Sequence, residues 1–114
     1  MTSSFTPSTV AALATALPAV PAGLLHLRTL DTATSRRVAL DYGATVLCPQ
    51  VGASGLDAPG VSDCHDAGLA LLVWTVDDLD EGQALAAAGV DAICTNEPAA
   101  FARRLVRSVA EASG

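Results

Sequence analysis

The sequence contains no lysine and few aromatic residues. All six of its cations are arginines, and twelve acidic residues give the chain a formal net charge of −6. Aromatic residues make up only 4% of the chain, with a single tryptophan, Trp74. No basic run resembles a nucleic-acid-binding surface, and an acidic protein repels both phosphate backbones and anionic membrane surfaces. We therefore expect no nucleic-acid partner.

Paired cysteines and long apolar runs are also missing. The three cysteines are odd in number and lack Cys-x-x-Cys spacing, so the sequence predicts no disulfide framework. No run reaches the roughly 18–20 apolar residues that span a bilayer. The first residues, MTSSFTPST, lack the basic and apolar regions of a secretory signal. These absences favour a cytoplasmic protein with no membrane span.

A repeated arrangement of glycines indicates the fold class. The segments DYGATVLCP, DAGLALLVW and AAGVDAICT each have a helix-like end, a glycine and an apolar run. A glycine just past a helix supplies a left-handed cap, and an apolar run without alternation suits a strand covered on both faces. Their recurrence about every 20–25 residues is typical of consecutive βα units in a parallel α/β sheet.

The pattern predicts four parallel strands and five helices in a single domain over residues 1–114. The predicted strands are Ala22–Leu27, Ala44–Pro49, Leu69–Val76 and Val90–Thr95. The predicted helices are one between Thr6 and Pro18, Thr32–Tyr42, Val61–Ala67, one capped by Asp77 or Asp78 that ends at Ala88, and one from Pro98 whose last turns include Arg107. Spacing alone does not decide between an open sheet and an arc of a (β/α)8 barrel.

Functional residues of parallel α/β folds lie at the carboxyl ends of the strands. A pocket there would contain Arg28, Gln50, Trp74 and several acids. A buried indole needs a partner for its N–H, and this end of a strand opens toward a pocket. We therefore favour pocket lining over plain core for Trp74.

The remaining polar residues have simpler interpretations. We interpret His26 as a structural histidine and His65 as a solvated surface group. Cys48 and Cys94 lie in apolar strands, where cysteine behaves as a small hydrophobe. The acids from Asp77 to Glu81 are explained mainly by capping of the next helix and its positive N-terminus.

Two segments of the chain resemble the glycerophosphodiester phosphodiesterase family. The stretch VWTVD, ending at Asp77, is similar to the family's Trp-Thr-Val-Asn strand end, and AGVDAICTNEP is similar to its Gly-Val-Asp and Thr-Asp-x-Pro segment. Upstream, SSFTPSTVAALATALPAVPAGLL resembles the family's Ser-Phe-x-Pro stretch with the helix and strand that follow, and GATVLCPQ resembles the next strand. The similarity covers nearly the whole chain.

This resemblance implies the C-terminal half of a TIM-type (β/α)8 barrel, starting inside the fourth strand. The family hydrolyses glycerophosphodiesters to glycerol 3-phosphate and an alcohol, usually with a divalent metal such as Ca²⁺ or Mg²⁺. Its early His-Arg-Gly, its Glu-x-Asp metal pair, its second His and the Glu on its third strand have no counterpart here. The resemblance therefore implies no catalytic residue, no metal ligand and no cofactor in this chain.

The resemblance does imply three substrate-binding residues. Trp74 matches the family's pocket-lining tryptophan, and Ser4 and Phe5 match the Ser-Phe at the end of its fourth strand. Two residues depart from the family pattern, since Asp77 replaces an Asn and Asn96 replaces an Asp. An added anion would not help to hold a phosphodiester, so these departures put substrate binding by this half in doubt.

The leading hypothesis is a half barrel of phosphodiesterase type that is inactive alone. The alternative is a non-catalytic binding or regulatory half-barrel module that self-associates or completes a partner chain. A third hypothesis is an active hydrolase completed by a separate N-terminal half. We expect Ala70, Leu72 and Trp74 to lie on an exposed inner face that invites a homodimer or that N-terminal half, with a small phosphodiester as ligand if a pocket survives.

Overall fold

The computed structural model describes residues 1–104, which form one sheet of five parallel strands in sequential order. The strands are β1 (Thr2–Ser4), β2 (Ala22–His26), β3 (Val46–Pro49), β4 (Ala70–Val73) and β5 (Ala92–Ile93). The helices are α1 (Pro7–Ala16), α2 (Thr32–Asp41), α3 (Ala58–Asp66), α4 (Leu79–Ala88) and α5, which begins at 98 and is described to 104. The predicted last turns with Arg107 and the tail lie outside the described residues.

The sheet confirms the parallel βα prediction but has one strand more than the four predicted from the pattern. The additional strand is β1, which pairs in parallel with β2 from Thr2 opposite Ala22 to Ser4 opposite Leu24. Three residues are too few to show a period, so the pattern alone did not indicate this strand. It corresponds to the stretch that the family resemblance assigns to a fourth barrel strand.

Aspartates begin three of the helices. The carboxylates of Asp31, Asp57 and Asp78 accept backbone N–H groups of the first turns of α2, α3 and α4 at 2.7, 2.9 and 3.0 Å. These bonds satisfy N–H groups that have no partner within the helix. Asp57 starts α3 at Ala58, three residues before the predicted start, and Asp78 rather than Asp77 is the cap of α4.

The last two strands are shorter than their apolar runs. The ladder of β4 ends at Val73, and Trp74 makes only an isolated parallel bridge to Gln50. The backbone N–H of Val76 donates to the carbonyl of Cys94 at 2.8 Å, so the segments after β4 and β5 are hydrogen-bonded to each other again beyond the bridge. The apolar runs therefore extend beyond the hydrogen-bonded ladder in both strands.

The helices cover one face of the sheet. Leu24, Leu47 and Leu71 are adjacent in register and buried in one cluster with Val10 of α1 and Val61 of α3. A second cluster joins β4 to α4 and α5, and it contains Val73, Val76, Leu85 and Phe101.

The opposite face of the sheet carries no helix of residues 1–104. Alternation along β4 leaves Ala70, Leu72 and Trp74 partly exposed there, as predicted. A sheet covered by helices on one side is the arrangement of a (β/α)8 barrel, in which the other side faces the barrel interior. The structure therefore favours the barrel arc over an open sheet with helices on both faces.

None of the helices within residues 1–104 is long and apolar enough to cross a membrane. All three cysteines are unpaired, with Cys48 and Cys64 buried and Cys94 exposed.

Candidate functional site

Trp74 lies at the carboxyl end of β4, with its side chain on the inner face of the sheet. Its indole Nε1 donates to the backbone carbonyl of Cys48 on the neighbouring strand at 2.7 Å, and the ring remains partly exposed. The Trp74–Thr75 peptide bond is cis. A satisfied N–H with an accessible ring face leaves the indole free to contact a ligand from the inner side.

Phe5 meets Trp74 across the concave side of the sheet. The two ring centroids are 5.9 Å apart with an interplanar angle of 84°, an edge-to-face contact. Phe5 directly follows β1, and β1 is separated from β4 by three strand spacings, about 14 Å along a flat sheet. The two side chains therefore extend toward each other over β2 and β3, and the contact brings two of the three predicted binding residues together.

Ser4, the third predicted residue, makes a different contact. Its hydroxyl accepts the backbone N–H of Thr6 at 3.1 Å, which shapes the turn from β1 into α1. In the ladder Ser4 is opposite Leu24, whose side chain belongs to the helix-covered face. The structure thus places Ser4 behind Phe5 rather than beside the Trp74 ring.

Gln50 and Arg28 extend the site beyond the aromatic pair. Gln50 follows β3, and its backbone forms an isolated parallel β-bridge with Trp74. Its side-chain Oε1 accepts the backbone N–H of Arg28 at 3.0 Å. Arg28 is exposed and lies two residues beyond the end of β2. The sequence placed these three residues at the same edge, but no local signal indicated that Gln50 joins the other two.

Asp77 connects the loop after β4 to the loop after β5. Its carboxylate accepts the backbone N–H of Asn96 at 2.8 Å, the Asn96 side-chain amide at 3.1 Å and the Thr95 hydroxyl at 3.1 Å. These hydrogen bonds, the backbone one first, lower the pKa of Asp77 below its ordinary value. The carboxylate is therefore ionised and satisfied within the protein.

The two departures from the family pattern are thus hydrogen-bonded to each other. The pair has one carboxylate and one amide here, as the residues of the family pattern also would, so the exchange leaves the net charge of the two positions unchanged. The expectation that these departures weaken substrate binding treated Asp77 as a free anion. Of the two predicted candidates for the cap of α4, the structure selects Asp78, and Asp77 instead holds the loop after β5.

The two histidines have structural partners. His26 is only 6% exposed, its Nδ1 lies 3.2 Å from the Leu27 carbonyl, and burial lowers its pKa. His65 is exposed, as predicted, and its Nε2 also lies 2.8 Å from the carboxylate of Asp91, which accepts the backbone N–H of Leu71. Only the tertiary fold brings α3 next to the start of β5, so the sequence did not indicate this pair.

In the part of the chain that the structure describes, neither a cluster of potential metal ligands nor the cavity beside α4 lies at the aromatic pair. Within residues 1–104, no group of three or more His, Cys, Asp and Glu side chains could hold a metal ion. A cavity of about 550 Å³ lies on the helix side, between the loop after β3 and α4, with Leu56, Asp57 and Glu81 in its wall.

Three solved structures are similar to this fold. A glycerophosphodiester phosphodiesterase from Parabacteroides distasonis has 24% identity and a TM-score of 0.77. The matched region covers 95% of this chain and 43% of the Parabacteroides chain. A phosphodiesterase from Oleispira antarctica, solved with sn-glycerol-3-phosphate, has 20% identity and a TM-score of 0.74, and the match covers 90% of this chain and 40% of the Oleispira chain. A Silicibacter pomeroyi structure that bears the family name has 23% identity, a TM-score of 0.77, and coverage of 93% and 37%.

At these identities the likeness shows a shared fold, and the chain spans less than half the length of each of the three structures. A comparison with curated protein sequences gives no match. The model of the glycerophosphoryl diester phosphodiesterase family matches residues 1–100, which is most of the chain and includes the aromatic pair and the Asp77–Asn96 pair. The chain therefore belongs to the glycerophosphoryl diester phosphodiesterase family.

Proposed function

We propose that this chain forms one wall of a phosphodiester-binding site in a phosphodiesterase barrel and does not hydrolyse the substrate alone. The observation that carries the proposal is the edge-to-face pair of Phe5 and Trp74 on the concave side, at the carboxyl edge of a family-matched half barrel. Active sites of (β/α)8 barrels lie at this edge.

The chemistry of the edge suits a small organic phosphate. The aromatic pair offers apolar surface to the carbon skeleton of a glycerol group, and Gln50 beside it is a polar group for hydroxyls. The Oleispira antarctica relative was solved with sn-glycerol-3-phosphate, which supports this ligand class for the present chain. We propose Trp74 and Phe5 as contact residues, and Ser4 as the residue that shapes the turn carrying Phe5.

Hydrolysis needs groups beyond those of this chain. Cleavage of a phosphodiester requires proton transfer and stabilisation of developing charge. The 114 residues carry no counterpart of the family's His-Arg-Gly or Glu-x-Asp motifs. We therefore propose that the catalytic groups come from the other half of a barrel.

Binding of sn-glycerol 3-phosphate tests the proposed wall. Trp74 is the only tryptophan, so its emission reports on the site without labelling. We expect the ligand to change this emission and to raise the thermal midpoint of the wild-type chain. Phe5→Ala should weaken binding measured by calorimetry by roughly tenfold, since one aromatic face of the site is lost.

Leu17→Ala is the matched control, because Leu17 is also an exposed large apolar residue but lies at the end of α1. Equal affinities for the wild type and Phe5→Ala would contradict a role for Phe5, and an absence of wild-type binding would contradict the proposed function.

A hydrolysis assay tests the catalytic part of the proposal. The chain alone should be inactive with Ca²⁺ or Mg²⁺ and should gain activity on mixing with a matching N-terminal half.

We also propose a partner for the inner face and a cytoplasmic location. Ala70, Leu72 and Trp74 are partly exposed on that face, and β1 and β5 are the two edge strands of the described sheet. A second copy or a separate N-terminal half would cover these surfaces. Three unpaired cysteines support a reducing compartment.

A further inference from the structure

We infer that Arg28 is the phosphate-binding cation that this half barrel brings to the site. The inference rests on the proposed function, and it names the group that would recognise the charged part of the ligand. An anionic ligand at this edge would otherwise meet mainly acids, since Asp77, Asp78 and Glu97 all lie in loops at the carboxyl ends of the strands. A site of this composition holds an anion only if a cation compensates.

Position distinguishes Arg28 from the other arginines of residues 1–104. Arg28 lies in the loop directly after β2, at the same edge as Trp74, whereas the others lie in α2 and α5. Arg36 is within 3.6 Å of Asp63, and Arg104 donates to Asp80 at 2.9 Å. Arg28 makes no ion pair with any residue that the structure describes, so its guanidinium is available to a ligand.

The backbone of Arg28 is fixed relative to the aromatic pair. Its N–H donates to Gln50 Oε1 at 3.0 Å, and the backbone of Gln50 forms a parallel β-bridge with Trp74 just beyond the end of β4. Neighbouring strands are about 4.8 Å apart, which places the Arg28 backbone within about 10 Å of Trp74, a span that a long guanidinium side chain and a phosphate can bridge together. Gln50 therefore holds the base of the arginine side chain beside the proposed ligand.

The loop after β3 leaves room for the arginine stem. A methyl group added at Gly52 would come within 3.4 Å of Arg28 Cδ, so the stem runs along this loop. Gly52 also has a φ of +91°, a conformation that other residues rarely adopt. The turn conformation therefore favours glycine at this position, and the arginine stem lies in contact range of the loop.

A guanidinium recognises phosphate through two parallel N–H···O bonds, which adds geometric selectivity to charge. The proposal therefore specifies a ligand with a terminal or bridging phosphate. It predicts that Arg28 contributes to binding of inorganic phosphate as well as of sn-glycerol 3-phosphate, because the contact is to the group that both share.

Calorimetric titration of the full 114-residue chain tests this assignment. We expect Arg28→Gln to weaken binding of both probes by about tenfold or more, and Arg28→Lys to lie between it and the wild type, since lysine keeps the charge without the planar fork. Arg37→Gln is the control, because it removes one charge from an exposed residue of α2, and it should change the affinity less than twofold. The Arg28 effect should shrink as salt concentration rises.

The outcomes separate this inference from the proposed function. If the wild type binds sn-glycerol 3-phosphate and Arg28→Gln binds it equally well, the Arg28 assignment is overturned while the proposed wall stands. Equal losses in Arg28→Gln and Arg37→Gln would also overturn it, because net charge would explain both. If the wild type binds neither probe, the proposed function fails and the assignment fails with it.

Discussion

Asp77 joins two loops at the carboxyl edge through a single carboxylate. Its hydrogen bonds with Thr95 and Asn96 fix the segment after β5 to the segment after β4. The ring of Trp74 belongs to the same segment after β4. At the scale of single residues, the site therefore depends on a pair of polar side chains 19 positions apart as well as on its aromatic pair.

Exchange of this pair gives a direct test. Asp77→Asn should lower the thermal midpoint because the charged acceptor is lost, and Asn96→Asp should lower it because two carboxylates then face each other. The double variant with both changes should recover most of the loss, since it restores one carboxylate and one amide. Thermal unfolding followed by circular dichroism measures all three.

Asp78→Asn is the control for the exchange experiment. It changes the charge equally at the adjacent position, and Asn is as good an N-cap as Asp. Single losses that simply add in the double variant would rule out a direct coupling between residues 77 and 96.

His26 gives the protein a pH dependence of known sign. Burial lowers its pKa below the ordinary value of 6.5, so between these two values the unfolded chain binds more protons than the folded chain. Its contribution to the free energy of unfolding is complete above pH 6.5 and is lost as the pH falls toward the lowered pKa, by at most about 1.4 kcal/mol per pH unit.

Urea unfolding at a series of pH values from 8 to 4 measures this effect. His26→Gln should flatten the dependence between pH 6.5 and the lowered pKa. The pKa values of Asp31, Asp77 and Asp91 are lowered from 3.8, so their contributions are lost only as the pH falls below 3.8, outside this series. A wild-type profile that stays flat below pH 6.5 would show that His26 is not buried as a neutral group.

At the scale of elements, the contact between α4 and α5 depends on a missing side chain. A methyl group at Gly82 would overlap the ring of Phe101, which is 3% exposed. Glycine in a helix interior costs about 1 kcal/mol relative to alanine, so its presence here follows from packing rather than from helix propensity. Close approach of the two helices buries Phe101 in the second core cluster.

Gly82→Ala should therefore destabilise the protein by roughly 1–3 kcal/mol, although alanine is the better helix former. Denaturant unfolding measures the change in the free energy of unfolding. Adding Phe101→Leu should restore part of the stability of Gly82→Ala, because the smaller side chain leaves room for the methyl group. Stabilisation by Gly82→Ala alone would contradict the packing shown by the structure.

At the scale of the whole molecule, the described sheet has one face without helices and two edge strands. Edges present unpaired backbone groups that another strand can bind, and apolar residues on an uncovered face favour association. We predict that the purified chain forms a dimer or a soluble aggregate at micromolar concentration. Multi-angle light scattering gives the mass directly.

Ser3→Lys places a charge on edge strand β1 and should shift the mass toward the monomer. Thr9→Lys adds the same charge at an exposed position of α1 and should leave the mass unchanged. A compact wild-type monomer that binds no dye specific for apolar surfaces would contradict the prediction.

The local features of this protein were readable from its sequence. Helix–glycine–strand repeats, apolar runs and the Pro7 start of α1 predicted four of the five described strands, the helices α1 to α4 within a few residues, and the start of α5. These signals depend on neighbouring residues, because caps, turns and periodic burial are set within one or two turns of chain. The position of Trp74 at a strand end followed from the same local pattern.

Tertiary structure decided which distant residues meet. Phe5 reaches Trp74 only across the two intervening strands of the folded sheet, and Asp77 meets Asn96 only because two loops end at the same edge. His65 likewise meets Asp91 through the packing of α3 beside the start of β5. Such contacts depend on register, curvature and packing over many residues, and a one-dimensional pattern of hydrophobicity carries none of these. The sequence by itself determined most of the elements and their order, and the folded sheet determined which of the residues at its carboxyl edge meet.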